Sequence, residues 1–154
     1  MNERLDKADR HILRLLQTSG RMTNADIARE VKLSPPSTLQ RIRKLEQKGY
    51  IKGYTTLLDL EKLGYQIAVF AQVSLSLHQD EPIEAFVDAV TAIPEVLECY
   101  HVSGEYDFLL KVVAKDMADY ERVVREQLSR IRSVAKVHSC FVLRNNKLTS
   151  PLLA

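Results

Sequence analysis

The sequence predicts an α+β protein in which a head of three short helices precedes a body of alternating strands and helices. Three observations lead to this class. Apolar residues recur at helical spacing through the first third of the chain, the spacing then changes to two, and the later segments follow the order β-α-β-β-α-β. These patterns divide the chain into a head at 1–53, a linker strand and hinge at 54–64, and a body at 65–154.

The composition indicates a globular protein without a membrane partner. Of the 154 residues, 45% are apolar and 27% are charged. The apolar runs are far shorter than the roughly 20 residues that a membrane helix needs. Residues 1–10 are charged throughout, which argues against a signal peptide. Cys99 and Cys140 are therefore expected to be reduced thiols in a cytoplasmic protein.

The charge is distributed unevenly along the chain. Residues 1–55 contain 12 Lys and Arg against 6 Asp and Glu, whereas residues 56–154 contain 10 against 14. A basic head on an acidic body suggests that the head binds a polyanion. Chance clustering of solvated charge is the alternative, since blocks of charge are weak evidence when taken alone.

Each of the three predicted head helices begins at a residue suited to capping. Asp6 precedes the first apolar stripe. Thr23 precedes the second, and Asp26 three residues later completes a capping-box pattern. Ser34 precedes the third helix. The head is therefore predicted to contain three helices joined by short turns.

Two adjacent prolines, Pro35 and Pro36, follow Ser34 at the start of the third helix. The first four N–H groups of a helix have no partner inside the helix, so neither proline removes a hydrogen bond there. Pro36 disfavours the helical ψ angle at Pro35, which is a modest strain. The prolines are therefore predicted to fix where the helix starts, not to break it.

The third helix has an apolar face and a polar, basic face. Leu39, Ile42 and Leu45 recur at a spacing of three and are expected to pack inward. Two short helices joined by a tight turn, the second with Ser, Thr, Gln and Arg near its start, are typical of a helix-turn-helix that reads DNA. The segment "YIKGYTTLL" follows directly and is predicted to form a short strand or wing. The head is thus predicted to be a winged helix-turn-helix.

The polar face of the third helix supplies the candidate DNA contacts. Thr38, Gln40 and Arg41 are predicted to read base edges, because such side chains hydrogen-bond to bases. Lys44 and Lys48 are predicted to contact phosphate. For each residue taken singly the alternative is a solvated helix face. The full set of predicted DNA-binding residues is Thr23, Ser34, Ser37, Thr38, Gln40, Arg41, Lys44, Lys48 and Lys52.

The body is predicted to form the ferredoxin-like split βαβ arrangement. Both of its helices would cover the same side of the sheet, so the other face would remain exposed. Sheet-to-sheet dimerisation is therefore expected. The predicted segments are strands at 67–77, 96–102, 106–114 and 134–143, and helices that begin at Pro82 and Asp116.

Three stretches carry a resemblance to a known family. They are "LDKADRHILRLLQTSGRMTNADIAREVKLSPPSTLQRIRKLEQKGYIKGY", "IPEVLECYHVSGEYDFLLKV" and "DMADYERVV". Their order and content resemble the Lrp/AsnC (feast/famine) family of transcriptional regulators over residues 5 to about 150. The resemblance implies dimers, often assembled into octamers, and a small effector, usually an amino acid, bound at interfaces between bodies.

The family's effector turn corresponds to Ser103–Asp107 in this sequence. Read alone, the segment predicts a two-residue hairpin with Gly104 at the position that needs a positive φ. Its backbone N–H groups would suit an α-carboxylate, and Asp107 would suit an α-ammonium. A plain hairpin with a solvated acid is the alternative. The predicted effector-binding residues are Tyr100, Val102, Ser103, Gly104, Glu105, Tyr106 and Asp107.

Two mirror-ordered pairs of residues raise the alternative of a metal site. Cys99 with His101, and His138 with Cys140, each have a spacing of two, and four such ligands would suit tetrahedral zinc. In the usual strand order of this fold the two strands are opposite edges, so one chain cannot close the site. Ordinary thiols and imidazoles are expected, and no metal or cofactor is predicted.

Two other classes of function compete with a transcriptional regulator. A small-molecule enzyme on the body would need a convergent pocket such as His101, Glu105 and Asp107, but no nucleophile–base pair or Gly-rich phosphate loop accompanies them. In an amino-acid-binding assembly protein, the body would still bind the effector and assemble, but the head would have lost its affinity for DNA. The predicted function is sequence-specific DNA binding with amino-acid sensing by the body.

Overall fold

The computed structural model describes residues 5–76, 83–147 and 152. The chain forms two compact units, the first with the described residues of Met1–Leu57 and Lys147–Ala154, the second with those of Leu58–Asn146. The predicted strand end at residue 77, the helix start at Pro82 and most of the C-terminal tail lie outside the described residues.

The first unit contains the three predicted helices, α1 (Lys7–Thr18), α2 (Asn24–Val31) and α3 (Pro35–Gln47). No helix in the described part of the chain is long and apolar enough to cross a membrane. The chain between α2 and α3 turns at Lys32, whose φ of 56° is left-handed. The three helices therefore form a helix-turn-helix with a tight α2–α3 turn.

The predicted caps are confirmed. The Asp6 side chain accepts a hydrogen bond from the Asp9 N–H in a reciprocal capping box, and Thr23 accepts from the Asp26 N–H. Ser34 caps α3 and accepts from the Ser37 N–H, with prolines at the first two helical positions. Each capping oxygen satisfies a donor that a helix start leaves unpaired.

The buried stripe of α3 differs from the predicted one. Thr38 is fully buried, together with Ile42 and Leu45, whereas Leu39 is 39% exposed. The prediction that Leu39 packs inward is therefore wrong. The stripe uses spacings of four and three, which keep side chains on one helix face better than two spacings of three.

Arg41 joins α3 to the start of α1. Its Nη1 atom lies 2.7 Å from Oδ2 of Asp6 and 2.8 Å from Oδ1 of Asp9. The Asp9 backbone N–H and the Arg41 guanidinium together hold the pKa of Asp6 below its ordinary range. These ion pairs join α1 and α3 beside the apolar core that the two helices share.

The linker strand predicted at 54–64 is absent, because residues 51–66 contain no strand in the structure. A strand needs a neighbouring strand to bond its N–H and C=O groups, and no described segment of this chain pairs with the linker. Tyr54, Leu57 and Leu58 in this segment are exposed.

The second unit has the predicted β-α-β-β-α-β order, and the α+β class is confirmed. The sheet order is β2-β3-β1-β4 with antiparallel pairing. A single 3₁₀ turn at Leu128–Arg130 precedes the last strand. The elements are β1 (Ile67–Leu75), α4 (Ile83–Thr91), β2 (Val96–His101), β3 (Phe108–Ala114), α5 (Met117–Glu126) and β4 (Val134–Phe141).

The sheet of the second unit has one covered and one open face. Val69, Ala71 and Val73 of β1 are fully buried in the core with α4 and α5, whereas the alternate residues Phe70 and Gln72 point to the other face. This period-two alternation is typical of a half-buried sheet. The open face is therefore available for assembly.

Replacing Thr38 with Val should stabilise the first unit by about 1 kcal/mol, because Oγ1 of Thr38 is buried without a hydrogen-bond partner among the described residues. The matched control is Thr23→Val, which removes a helix cap and should destabilise by about 1 kcal/mol. Urea denaturation measures both free energies of unfolding. A destabilised Thr38→Val variant would contradict the buried, unpartnered hydroxyl.

Replacing Asp6 with Asn should lower stability at pH 7 and have no effect at low pH. Asn keeps the capping oxygen and removes the charge that faces Arg41. Because the folded-state pKa of Asp6 is lowered from 3.8, its charge stabilises above that value and the benefit is lost as the pH falls through the folded-state pKa. Urea titrations between neutral and acidic pH should show the wild-type advantage disappearing. An advantage that persists in acid would exclude the carboxylate charge as its source.

Candidate functional site

The outward face of α3 lies opposite its buried stripe. At 3.6 residues per turn, Gln40 is about 180° around the helix from the centre of that stripe. Gln40 and Lys44 are exposed, and the Gln40 side chain has no hydrogen bond to a described residue. The exposed side chains Pro36, Arg43 and Gln47 share this face, although the sequence analysis did not single them out as candidates.

Two of the three predicted base-reading residues have other roles. Thr38 is fully buried, so the prediction that it reads a base is wrong. Asp9 and Asp6 accept hydrogen bonds from Arg41, and those bonds raise the pKa of Arg41 above its ordinary value. Because its guanidinium is already engaged, the expectation that Arg41 reads bases is replaced by a structural role between α1 and α3. Gln40 remains the outward-facing residue of the three.

The other predicted contacts lie at helix starts and along α3. Thr23 and Ser34 are exposed caps, and the Thr23 hydroxyl also donates to Oδ2 of Asp26 at 2.6 Å. Ser37 is half-buried, and Lys48 is exposed at the end of α3. Lys52 is exposed beyond the helix. A groove of about 410 Å³ runs between the start of α1 and α3, and is lined by Ser37, Gln40, Arg41, Lys44 and Lys48 among others.

Asn24 is a positioning residue that the sequence analysis did not identify. Its Nδ2 atom donates to the Pro35 carbonyl oxygen at 2.8 Å, which fastens the start of α2 to the start of α3. An asparagine next to a threonine cap carries no sequence signal for this contact, because its partner lies in the following helix. The two helices of the motif are thereby fixed relative to each other at the end that carries the caps.

The hairpin between β2 and β3 is longer than predicted. The Val102 N–H donates to the Asp107 carbonyl at 3.0 Å, which leaves Ser103–Tyr106 as a four-residue loop. The prediction of a two-residue hairpin loop is therefore wrong. Gly104 does have the predicted positive φ, 129°, a backbone conformation that side-chain-bearing residues rarely adopt. Ser103, Gly104 and Glu105 are exposed at the tip.

Asp107 is tied to the neighbouring strand. Its Oδ2 atom accepts the Leu75 backbone N–H at 2.7 Å, and its own N–H donates to the Val73 carbonyl at 3.0 Å. Asp107 is thus not a solvated acid, because its side chain and its backbone both hydrogen-bond to the end of β1. Oδ1 has no hydrogen bond to any described residue and remains able to accept one.

Aromatic residues flank the hairpin. Tyr100 is 49% exposed, and its hydroxyl donates to Glu98 at 2.7 Å, a hydrogen bond that raises the pKa of Tyr100. Tyr106 stacks on His138 of β4 with ring centroids 6.1 Å apart. His138 was considered only as a metal ligand in the sequence analysis, because its proximity to the hairpin depends on strand pairing across the sheet.

The two Cys–His pairs lie on opposite edges of the sheet. β2 carries Cys99 and His101, and β4 carries His138 and Cys140, with two strands between them. His101 stacks on Phe108 with ring centroids 4.7 Å apart. Within the described ranges, no group of three or more His, Cys, Asp or Glu could hold a metal ion.

Comparison with known proteins matches both units. Residues 5–52 match the model of a winged helix-turn-helix DNA-binding domain, and residues 68–152 match that of the Lrp/AsnC ligand binding domain. The leucine-responsive regulatory protein of Escherichia coli (strain K12) is 37% identical over 149 residues, covering 97% of this chain and 91% of that protein. The protein of the same name from Rhizobium meliloti (strain 1021) is 41% identical over 143 residues, covering 93% and 92%.

Solved structures agree with these matches. A transcriptional regulator of Neisseria meningitidis in complex with L-Met has a TM-score of 0.92 at 36% identity, covering 97% of this chain and 96% of that one. An AsnC family transcriptional regulator from Agrobacterium tumefaciens has a TM-score of 0.88 at 35% identity, covering 96% of each chain. These relatives are regulators and not enzymes. The chain therefore belongs to the Lrp/AsnC family of transcriptional regulators.

Proposed function

We propose that the head binds operator DNA by placing the outward face of α3 in the major groove, with Gln40 reading a base. The observation that carries this proposal is the rotation of α3, which buries Thr38 and directs Gln40 to solvent. A glutamine side chain can bond bidentately to adenine in the major groove. The excess of Lys and Arg in residues 1–55 supports attraction to DNA.

The remaining head residues position the helix on the phosphate backbone. Lys44, Lys48 and Lys52 contact phosphates through their ammonium groups. Thr23 and Ser34 lie at the starts of α2 and α3, where helix N-termini attract anionic oxygens. Ser37, one turn before Arg41, contacts phosphate or a base edge. The phosphate contacts orient the protein on DNA without reading sequence.

The body binds an amino-acid effector at the hairpin. The N–H groups of Ser103, Gly104 and Glu105 hold the α-carboxylate, and the unpaired Oδ1 of Asp107 accepts the α-ammonium. Tyr100, Val102 and Tyr106 line the side-chain pocket. The exposed tip and the positive φ of Gly104 support this assignment. The L-Met complex of the Neisseria meningitidis relative supports an amino acid as the ligand class.

The protein assembles through the open face of its sheet into dimers, and dimers into octamers. Phe70 is 36% exposed at the centre of this face, between Lys111 and Cys140 on the neighbouring strands. Burial of such a face removes apolar surface from water. The effector acts by binding one assembly state more tightly than another, which shifts their populations and the spacing of the heads. The two free thiols fit action in the cytoplasm.

Replacing Gln40 with Ala should cost about 1–3 kcal/mol of specific DNA binding, because one bidentate base contact is lost. The probe is the duplex that the wild-type protein selects from a random-sequence pool, and fluorescence anisotropy measures affinity. Thr38→Val is the matched control and should leave affinity unchanged, since Thr38 is buried. A larger loss in Thr38→Val than in Gln40→Ala would show that the helix presents a different face to DNA.

An amino-acid screen by thermal unfolding should identify an effector that raises the Tm of the wild type, with L-Met tested first. A ligand at 100 times its Kd stabilises by about 2.7 kcal/mol. Asp107→Asn should abolish the shift, because the amide oxygen still accepts the Leu75 N–H but the charge is gone. Glu121→Gln, at an exposed position of α5, is the control. A shift that survives in Asp107→Asn would remove Asp107 from the site, and no shift with any amino acid would refute sensing.

A further inference from the structure

Arg43 and Arg41 lie two positions apart on α3 but have different surroundings. The Arg41 Nη1 atom contacts the carboxylates of Asp6 and Asp9 at 2.7 and 2.8 Å. Arg43 is exposed, and its side chain has no hydrogen bond or ion pair to a described residue. Two positions along a helix are about 200° apart around its axis. Arg43 therefore lies on the side of α3 that faces away from the two carboxylates of α1.

Arg43 shares the outward face of α3 with Gln40, which it follows by three positions. At 3.6 residues per turn and a rise of 1.5 Å per residue, the two positions are about 60° apart around the helix and about 4.5 Å apart along it. That separation is close to the rise of about 3.4 Å between successive base pairs of DNA. The two side chains are therefore spaced to reach neighbouring base pairs.

The one acidic residue of Pro35–Gln47 does not engage Arg43. Glu46 lies three positions after Arg43, a spacing at which side chains of opposite charge often pair on a helix. Its Oε1 atom instead accepts the hydroxyl hydrogen of Tyr54, beyond the helix, at 2.9 Å. The guanidinium of Arg43 therefore keeps its N–H donors available for a ligand.

We propose that Arg43 is a second base-reading residue, which recognises a guanine next to the base pair that Gln40 contacts. An arginine in the major groove donates two parallel N–H bonds to O6 and N7 of guanine. This inference rests on the proposed placement of the outward face of α3 in the major groove. It adds a chemical feature to the operator, namely a guanine beside the base that the glutamine reads.

A phosphate contact is the competing role for Arg43. Lys44 and Arg43 flank the centre of the outward face at similar angles, each roughly 50° from it. Their head groups differ, because a lysine ammonium is a compact point charge, whereas an arginine guanidinium is a planar fork that matches two acceptors at once. The paired O6 and N7 acceptors of guanine suit the fork, and a phosphate oxygen suits the point charge. The chemistry of Arg43 therefore favours a base.

The experiment is a cycle that combines protein variants with a base analogue. The probe is the duplex that the wild type selects from a random-sequence pool, and each of its guanines is replaced in turn by 7-deazaguanine. This analogue pairs normally and keeps the phosphate, but lacks the N7 acceptor. Fluorescence anisotropy measures affinity for the wild type, Arg43→Ala and the control Arg10→Ala. Arg10 is an exposed arginine of α1 whose side chain also has no partner among the described residues.

The wild type should lose about tenfold in affinity when one particular guanine carries the analogue. Arg43→Ala should bind the natural duplex about five- to 100-fold more weakly and should not respond to the analogue at that guanine. Arg10→Ala should respond there as the wild type does. Urea unfolding of Arg43→Ala should match the wild type, and a marked loss of stability would contradict the exposed, unpaired position of Arg43.

Three results would overturn the base contact. A variant Arg43→Ala that binds every duplex more weakly, but keeps the wild-type response to each analogue, would assign Arg43 to phosphate. An unchanged affinity of Arg43→Ala, or a selected duplex without guanine, would remove Arg43 from base reading. An equal loss of the response in Arg10→Ala would show an effect of general charge.

Failure of this inference differs from failure of DNA binding by the outward face of α3. If Gln40→Ala and Arg43→Ala both bind the selected duplex like the wild type, that face does not enter the groove, and both proposals are refuted. If Gln40→Ala loses affinity while Arg43→Ala keeps the response to every analogue, only the reading of guanine by Arg43 is refuted.

Discussion

The rotation of α3 about its own axis is the constraint on which the head depends. Thr38, Ile42 and Leu45 turn into the core, and the Arg41 guanidinium is tied to two carboxylates at the start of α1. A helix has 3.6 residues per turn, so moving the buried stripe by one residue would rotate the outward face by about 100°. Packing and ion pairing on the inner side of α3 therefore determine which residue faces outward, and that residue is Gln40.

The sequence predicts the helices of the head but not that rotation. Caps are local signals, because the capping oxygen and its N–H donor are three residues apart. The buried stripe is ambiguous, since Leu39 with Ile42 and Leu45 is more apolar than the stripe that contains Thr38. Only packing against the other two helices selects Thr38. The partners of Arg41 are 35 and 32 residues away in sequence, beyond the reach of any helical periodicity.

In the body the sequence predicts the element order. Apolar and polar residues alternate clearly along β1, and the side-chain cap that begins α5 is a local signal. The hairpin length could not be predicted, because glycine permits several loops and the choice follows from pairing with β1. Asp107 shows this dependence. Its residue type suggested a ligand for ammonium, but one of its oxygens is used by the backbone of a strand 32 residues earlier. The prediction of a linker strand was wrong for a related reason, because a strand requires a neighbouring strand to pair with.

The bond between Asp107 and the Leu75 amide gives the hairpin a spectroscopic reporter. Both oxygens of a carboxylate share one delocalised charge, so a cation that approaches Oδ1 draws electron density from Oδ2 and alters the hydrogen bond at the Leu75 N–H. The chemical shift and exchange rate of that single amide proton, which lies in the backbone of β1 and outside the hairpin, therefore register the electrostatic state of the loop.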